Sequence, residues 1–266
     1  MNKINMGAVT VILNLNMIAF GQSTGVTTVS VASYKPIVAP DSIVAAWGSN
    51  LAPSTFTANS SSPDGQPVVL PLTLGPVSLS IKDSGGNTIQ PTLYMVSSGQ
   101  INYLVPATAK LGPATLTVNT GTATFTGPVS ISNVAPALFS ADASGMGVAL
   151  GNVVRVTTGG VVTNDTIFQG TGTLTPKPIN LTLSPTDGVY LVLYGTGIRR
   201  RSLNPVIATI GGIRVPVLYA GAQSQYPGFD QVNIGPLPAS LVGKGVTDLI
   251  LTVDGVPANT LKLSVQ

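Results

Sequence analysis

Asp41-Ser-Ile-Val-Ala-Ala-Trp47-Gly48 returns late in the chain as Asp187-Gly-Val-Tyr-Leu-Val-Leu-Tyr194-Gly195. Each is an Asp, an apolar run and an aromatic residue closed by Gly. Further landmarks come back in the same order. Pro91-Thr-Leu93-Tyr94 reappears as Pro216-Val-Leu218-Tyr219, and Gln100-Ile-Asn102 as Gln231-Val-Asn233. Pro106-Ala-Thr matches Pro238-Ala-Ser, and Leu116-Thr-Val-Asn119 matches Leu251-Thr-Val-Asp254. Shared order at shared landmarks is the mark of a duplicated structural unit.

The local pattern says what that unit is. Val77-Ser-Leu-Ser-Ile81 alternates apolar and polar residues, as a half-buried strand does, and Asp83-Ser84-Gly85-Gly86-Asn87 supplies a turn before Thr88 to Val96. Thr115 to Val118, the turn Asn119-Thr120-Gly121, and Thr122 to Ile131 read as a second hairpin, with a bulge or edge break expected at Gly127-Pro128. Beyond the N-terminal segment no helical period is sustained, and turn residues recur at short intervals; the chain has 30 Gly and 21 Pro. The expected fold is all-β: two tandem immunoglobulin-like β-sandwich domains related by an internal repeat. Domain 1 is expected over 22–133 and domain 2 over 134–266. The stretch 134–185, too long for a simple linker, is expected to add strands to domain 2.

Composition removes whole chemistries. The 266 residues include no Cys and no His, and all nine acidic residues are Asp. Thiolate and His-based nucleophiles, disulfides and the ordinary zinc, haem and iron–sulfur ligand sets therefore have no residues to build them. No cofactor is expected. A net charge of +3 spread thinly is not a nucleic-acid stripe, so no nucleic-acid partner is expected. A mean hydropathy of +0.42 argues for a packed core rather than disorder. Lys3, the apolar run Ile4 to Phe20, and Ala19-Phe20-Gly21 before Gln22 read as a Sec signal peptide over 1–21. That places the mature chain outside the cell or at its surface, with no membrane span after cleavage.

Several segments together resemble the Solibacter uncharacterised C-terminal domain family, a bacterial secreted module with IPT/TIG-type immunoglobulin-like halves. They are Ser98-Gly-Gln-Ile-Asn-Tyr-Leu-Val-Pro106, Ala135-Pro-Ala-Leu-Phe139, Leu193-Tyr-Gly-Thr-Gly-Ile-Arg199, and Tyr219-Ala-Gly followed by Pro227-Gly-Phe-Asp-Gln-Val-Asn233. The resemblance implies the sandwich fold and an extracytoplasmic setting. It carries no catalytic residues with it.

Two segments are candidates for a ligand site. Arg199, Arg200 and Arg201 form the only charge cluster, and guanidinium forks suit carboxylate, sulfate or phosphate groups; the plainer reading is a solvated loop guarding a sheet edge. Tyr226, Phe229 and Asp230 bring two aromatic residues and an acceptor to one turn-rich loop, which suits stacking against a sugar; the plainer reading makes Phe229 a core plug. Trp47 with Tyr194, and Tyr94 with Tyr219, are expected to be matched packing residues. Asp230, Asp248 and Asp254 are the carboxylates a hydrolase would need, each also explained by a neighbouring turn or strand. No metal site is expected. The function expected is non-catalytic: extracellular adhesion, surface association or self-assembly through edge strands, with cell-envelope or extracellular polysaccharide as the partner besides the chain itself. The alternative is a carbohydrate-binding module using the aromatic loop of domain 2.

Overall fold

A computed structural model describes residues 25–59, 66–181 and 186–266. The expected signal peptide lies outside the described residues. The chain is all-β. Its first part carries β1 (Thr27–Ser30), β2 (Ile37–Val38), β3 (Ile43–Trp47), β4 (Phe56–Thr57), β5 (Thr73–Leu74), β6 (Val77–Lys82), β7 (Thr88–Ile89), β8 (Thr92–Val96), β9 (Gln100–Leu104), β10 (Gly112–Asn119) and β11 (Thr124–Ile131). These form two sheets, β1-β3-β9-β8-β4 and β2-β11-β10-β6-β5, with β7 paired to β6.

The second part carries β12 (Ala137–Leu138), β13 (Gly151–Val156), β14 (Val162–Thr166), β15 (Phe168–Gln169), β16 (Thr175–Pro176), β17 (Pro178–Ile179), β18 (Gly188–Thr196), β19 (Ile207–Ile210), β20 (Ile213–Val215), β21 (Val217–Ala222), β22 (Asp230–Ile234), β23 (Gly245–Val253), β24 (Val256–Pro257) and β25 (Leu261–Val265). Its sheets run β14-β13-β18-β22-β21 and β17-β25-β23-β19-β20. β12, β13, β14 and β17, all within 134–185, pair into these sheets.

The duplication holds at the level of register. Trp47 faces Gln100 and Ala45 faces Asn102, as Tyr194 faces Gln231 and Val192 faces Asn233. In each copy the Gln amide donates to the Asn two residues on, at 2.7 Å for Gln100 to Asn102 and 2.9 Å for Gln231 to Asn233. Each copy also has a short strand running parallel to its last one: β2 with β11, and β17 with β25. Pro91 and Pro216 stand where the chain leaves one sheet and enters the other, because a residue without an N–H suits a break in a ladder. The expected run Thr88 to Val96 is thus two strands: β7 stays with β6, and β8 joins the opposite sheet.

Gly127-Pro128 is not a bulge. Leu116 faces Gly127 and Thr115 faces Pro128 in unbroken register. Gly is needed at 127 because the incoming N-terminal chain crosses there: a Cβ would stand 1.8 Å from the Val26 carbonyl oxygen. The copies differ by a slide at the β8–β9 and β21–β22 hairpins. Each has a bulge, but the extra residue is Tyr94 in the first and Leu218 in the second. Tyr219 therefore stands where Met95 does rather than where Tyr94 does, and it is exposed. The expected matched packing of Tyr94 and Tyr219 fails for that reason.

Strand patterning separates the cores. In β6, Val77, Leu79 and Ile81 are buried while Ser78 and Ser80 are half-buried, and those three Val, Leu and Ile side chains fill the first sandwich. β3 does not alternate. Val44 and Ala46 enter the first sandwich core, while Ile43, Ala45 and Trp47 face a separate apolar cluster. β18 behaves alike: Leu191 and Leu193 enter the second sandwich core, and Val192 and Tyr194 face the same separate cluster. These strands are apolar throughout because both of their faces are covered.

The Asp83 turn is closed by its own carboxylate, which accepts N–H bonds from Gly85, Asn87 and Lys110, each at 3.0 Å. These donors, the Lys110 N–H foremost, hold the Asp83 pKa below its ordinary value. A depressed carboxylate contributes stability that is complete above the ordinary Asp range, near about 4, and is lost as pH falls through the folded-state pKa. The Tm of the wild type is accordingly expected to drop as pH falls below about 4. Asp83→Asn should start lower at neutral pH and lose less on acidification; parallel Tm–pH curves for the two proteins would refute this assignment.

Candidate functional site

Of the ligand candidates read from the sequence, the aromatic loop and Arg200 meet at the junction between the sandwiches. Its apolar part joins Ile43, Ala45, Trp47, Tyr94 and Leu104 of the first sandwich to Ala137, Phe139, Val192, Tyr194 and Phe229 of the second. The Phe139 and Phe229 rings lie 5.0 Å apart at 30°, and Tyr226 packs on Phe229 at 5.9 Å and 55°. Such tilted pairs suit the ring quadrupoles. The aromatic loop is therefore packed against this junction, with Phe229 half-buried in it. Gly228 makes the close approach possible. Its φ is +75°, and a Cβ there would stand 2.5 Å from Ile43 Cγ1 and 2.6 Å from Leu104 Cδ1.

Polar bonds cross at the same level. The Ile43 N–H donates to Thr196 Oγ1 at 2.9 Å, and that hydroxyl donates to the Gly228 carbonyl at 2.8 Å. The Tyr94 hydroxyl donates to the Pro227 carbonyl at 2.5 Å, and the Val68 N–H to the Gln225 carbonyl at 2.9 Å. Burial pushes the Tyr94 pKa up. On the far side, Asn259 is a buried hub. It accepts the Leu138 N–H at 2.9 Å and donates to the Leu138 and Gly145 carbonyls at 2.9 Å and to Ala32 of the first sandwich at 3.3 Å.

The three arginines have separate tasks. Arg199 Nε donates to Asp230 Oδ1 at 2.7 Å and its Nη2 to the Phe229 carbonyl at 2.6 Å. Asp230 also takes the Ile198 N–H at 2.7 Å and the Arg199 N–H at 3.2 Å, and it is 0% exposed. A carboxylate so enclosed has no face for a sugar hydroxyl. Burial raises its pKa, with Arg199 and the N–H donors pulling it back. Arg200 pairs with Asp41 across the junction, Nη2 to Oδ2 at 2.9 Å, and donates to the Ala107 carbonyl at 2.5 Å. Arg201 Nε donates to the Ala220 carbonyl at 2.9 Å. In geometry, Tyr226, Phe229 and Arg200 belong to the interdomain seam, whereas Asp230 and Arg199 pair within the second sandwich and Arg201 holds a carbonyl of β21.

The remaining aspartates of the expected hydrolytic set are dispersed. Asp248 pairs with Lys262, and Asp254 accepts the Ser202 N–H and hydroxyl at 2.7 and 2.6 Å. Among the described residues no group of three or more acidic side chains is placed to hold a metal ion.

Two edge strands of one sheet in the second sandwich carry occupied groups. On β21 the Ala220 carbonyl is taken by Arg201 and the Ala222 carbonyl by the Tyr219 hydroxyl at 2.5 Å. On β14, fully exposed, Asp165 accepts the Thr166 N–H at 2.8 Å and pairs with Lys177 at 2.5 Å. Occupied edge groups oppose strand addition at both ends of this sheet.

Grooves remain open among the described residues. One of about 390 Å³ lies at the junction, lined by Pro40, Ala107 to Leu111 and Asn133 with Arg200. Another, about 140 Å³, lies between the loop after Arg201 and β21, beside Tyr219, Asn204 and Leu203. Sequence reasoning missed Lys110, Thr196, Asn259 and the exposed Tyr219. The one signal available was the unbroken apolar run in both matched strands, which marks two-sided burial.

No family model matches the chain, and no curated protein does. Solved structures to which the chain is similar include SGBP-B of the Bacteroides ovatus mixed-linkage glucan utilization locus, in complex with a mixed-linkage heptasaccharide. It is 13% identical at a TM-score of 0.31, over 87% of this chain and 43% of that one. The chain thus spans less than half of that structure. Murine CEACAM1b is 11% identical at a TM-score of 0.18, over 91% of this chain and all of that one. At these scores neither likeness bears on function. No helix among the described residues is long and apolar enough to cross a membrane.

Proposed function

We propose that the chain is a secreted, non-catalytic tandem of immunoglobulin-like sandwiches that associates with the cell surface or extracellular material as one stiff unit. The observation that carries this reading is the junction, where a shared apolar cluster and a ring of hydrogen bonds join the sandwiches. A stiff module presents its outer loops at fixed separation and binds without spending interdomain freedom. The signal-peptide reading and the absence of Cys and His fit an extracellular, non-catalytic role. With its β14 and β21 edges guarded, the module is expected to attach through side chains rather than by strand addition. Light scattering on residues 22–266 should give a monomer across a wide concentration range, and isolated cell envelopes should retain that monomer. Growing species would contradict the guarded edges, and an absence of retention would contradict the reading itself.

A second reading, binding of neutral sugars, is favoured by one observation. Tyr219 is 42% exposed, its hydroxyl is anchored on the Ala222 carbonyl, and it lines a groove with Asn204 and Arg201. An anchored aromatic face with amide and guanidinium neighbours suits a sugar ring. Tyr219→Ala should then abolish retention on a neutral polysaccharide with no change in Tm. Equal retention of variant and wild type would end this reading.

A further inference from the structure

The duplication provides two copies of one sheet edge, and they are finished differently. In the first copy, 48–76 lies between β3 and β6 and carries β4 and β5; in the second, 197–206 lies between β18 and β19 and carries no strand. β4 runs antiparallel to β8 and pairs Phe56 with Val96. The same segment gives the Leu51 N–H to the Ser98 carbonyl at 3.0 Å and the Ala58 N–H to the Tyr94 carbonyl at 2.9 Å. The outer edge of β8 is thus covered by main chain, with Phe56 packed on the first core.

β21 has no such cover. Ala220 faces Val232 as Val96 faces Ile101, so Ala220 and Ala222 hold the places of Val96 and Ser98. Their outward carbonyls are taken by side chains instead, Ala220 by Arg201 Nε and Ala222 by the Tyr219 hydroxyl. The Gln223 N–H bonds the Phe229 carbonyl, and ladder groups alternate along an antiparallel pair, so the N–H groups of Ala220 and Ala222 also point outward. Neither N–H has an acceptor among the described residues. The groove of about 140 Å³ lies on this edge, lined by Ala220, by Val206 and Val217 at the margin of the second core, and by the exposed Leu203 and Leu218. Cross-strand partners share a face, so a residue paired with Ala220, as Phe56 is with Val96, would set its side chain over this groove.

We propose that the β21 edge captures an extended, uncharged segment of another protein, antiparallel to β21 and with an aromatic residue opposite Ala220. The stretch around β4, Ser54-Thr55-Phe56-Thr57-Ala58, is the template, because it already fills the duplicate of this edge. Main-chain bonds supply the affinity of such a capture, and the groove selects the ring. A second copy of the chain is a poor donor. Its β4 is paired to its own β8, and two β21 edges could join only if both released their Arg201 and Tyr219 bonds. A foreign strand displaces one set, and its own N–H replaces Arg201 Nε on the Ala220 carbonyl. Strand capture is separate from attachment to the cell surface and does not depend on it.

The test is fluorescence anisotropy of a labelled synthetic peptide, residues 53–59, titrated with the full chain. Saturable binding is expected, with slowed hydrogen exchange at the Ala220 and Ala222 amides. Phe56→Ala in the peptide should weaken binding about tenfold or more, the effect of one buried ring. N-Methylation of the peptide's Phe56 amide should weaken it at least about fivefold by removing the main-chain donor, and Arg201→Ala in the protein should strengthen it about fivefold by freeing the Ala220 carbonyl.

Absence of saturable binding to both the wild type and Arg201→Ala overturns the proposal. So does binding that N-methylation leaves unchanged, which would reduce the edge to a side-chain pocket, and so does slowed exchange confined to other strands. Retention on a neutral polysaccharide without peptide binding assigns the groove to sugar and overturns strand capture. Peptide binding by a chain that cell envelopes do not hold keeps strand capture and sinks only surface association.

Discussion

Replacing Asp230 by Ala is expected to cost about 3–5 kcal/mol of folding stability, the usual penalty for breaking a buried ion pair from one side. The Asp230 carboxylate takes three donors at 2.7–3.2 Å and is 0% exposed, while the Arg199 side chain that faces it is only 19% exposed. The substitution leaves that guanidinium and the Ile198 and Arg199 N–H groups without their acceptor. Because burial raises the Asp230 pKa, the charged pair is itself costly. The pH dependence of the Asp230 contribution therefore runs opposite to that of Asp83: it is greatest below the ordinary Asp range and declines as pH rises through the folded-state pKa. It follows that replacing both partners, as in Asp230→Leu with Arg199→Met, should cost less than the single change. Urea denaturation of the three proteins decides this. A loss below about 1 kcal/mol for Asp230→Ala would mean that the pair is worth no more than a surface contact.

Gly228→Val is expected to do comparable damage by a different route. A left-handed φ of +75° costs a β-branched residue about 1–2 kcal/mol, and forcing extra carbons against Ile43 and Leu104 adds about 1–3 kcal/mol. Those two side chains belong to the other sandwich, so the strain falls on the junction. The radius of gyration from small-angle scattering should rise as the sandwiches separate, and proteolysis should begin between them. Gly228→Ala should show the same effects more weakly. An unchanged radius and unchanged stability for the Val variant would place Gly228 outside any close interdomain contact.

The repeated unit was legible because its signals are local. Alternation in Val77 to Ile81, the turn at Asp83, and the matched Gln-x-Asn pairs depend only on near neighbours, and they keep their order in both copies. The junction was not legible in the same way, since no local pattern states which outer faces meet. Arg199 to Arg201 looked like one basic patch, but consecutive residues leaving a strand point in different directions, and each found a different carbonyl or carboxylate. Phe229 and Asp230 looked like one platform, yet the two side chains, on either side of the start of β22, part: the ring enters the junction cluster and the carboxylate turns to Arg199. Tyr219 was misplaced by a single residue because a bulge inserts Leu218 in one copy and Tyr94 in the other. In the first copy the inserted side chain bonds the second sandwich; in the second copy it is 61% exposed.

The central claim is that two sandwiches behave as one body, and scanning calorimetry of residues 22–266 tests it most directly. A single transition is expected, with the van't Hoff enthalpy equal to the calorimetric enthalpy of the whole chain. Two resolved transitions, or a van't Hoff enthalpy only about half the calorimetric enthalpy of the whole chain, would mean independent sandwiches joined by a seam too slight to couple them.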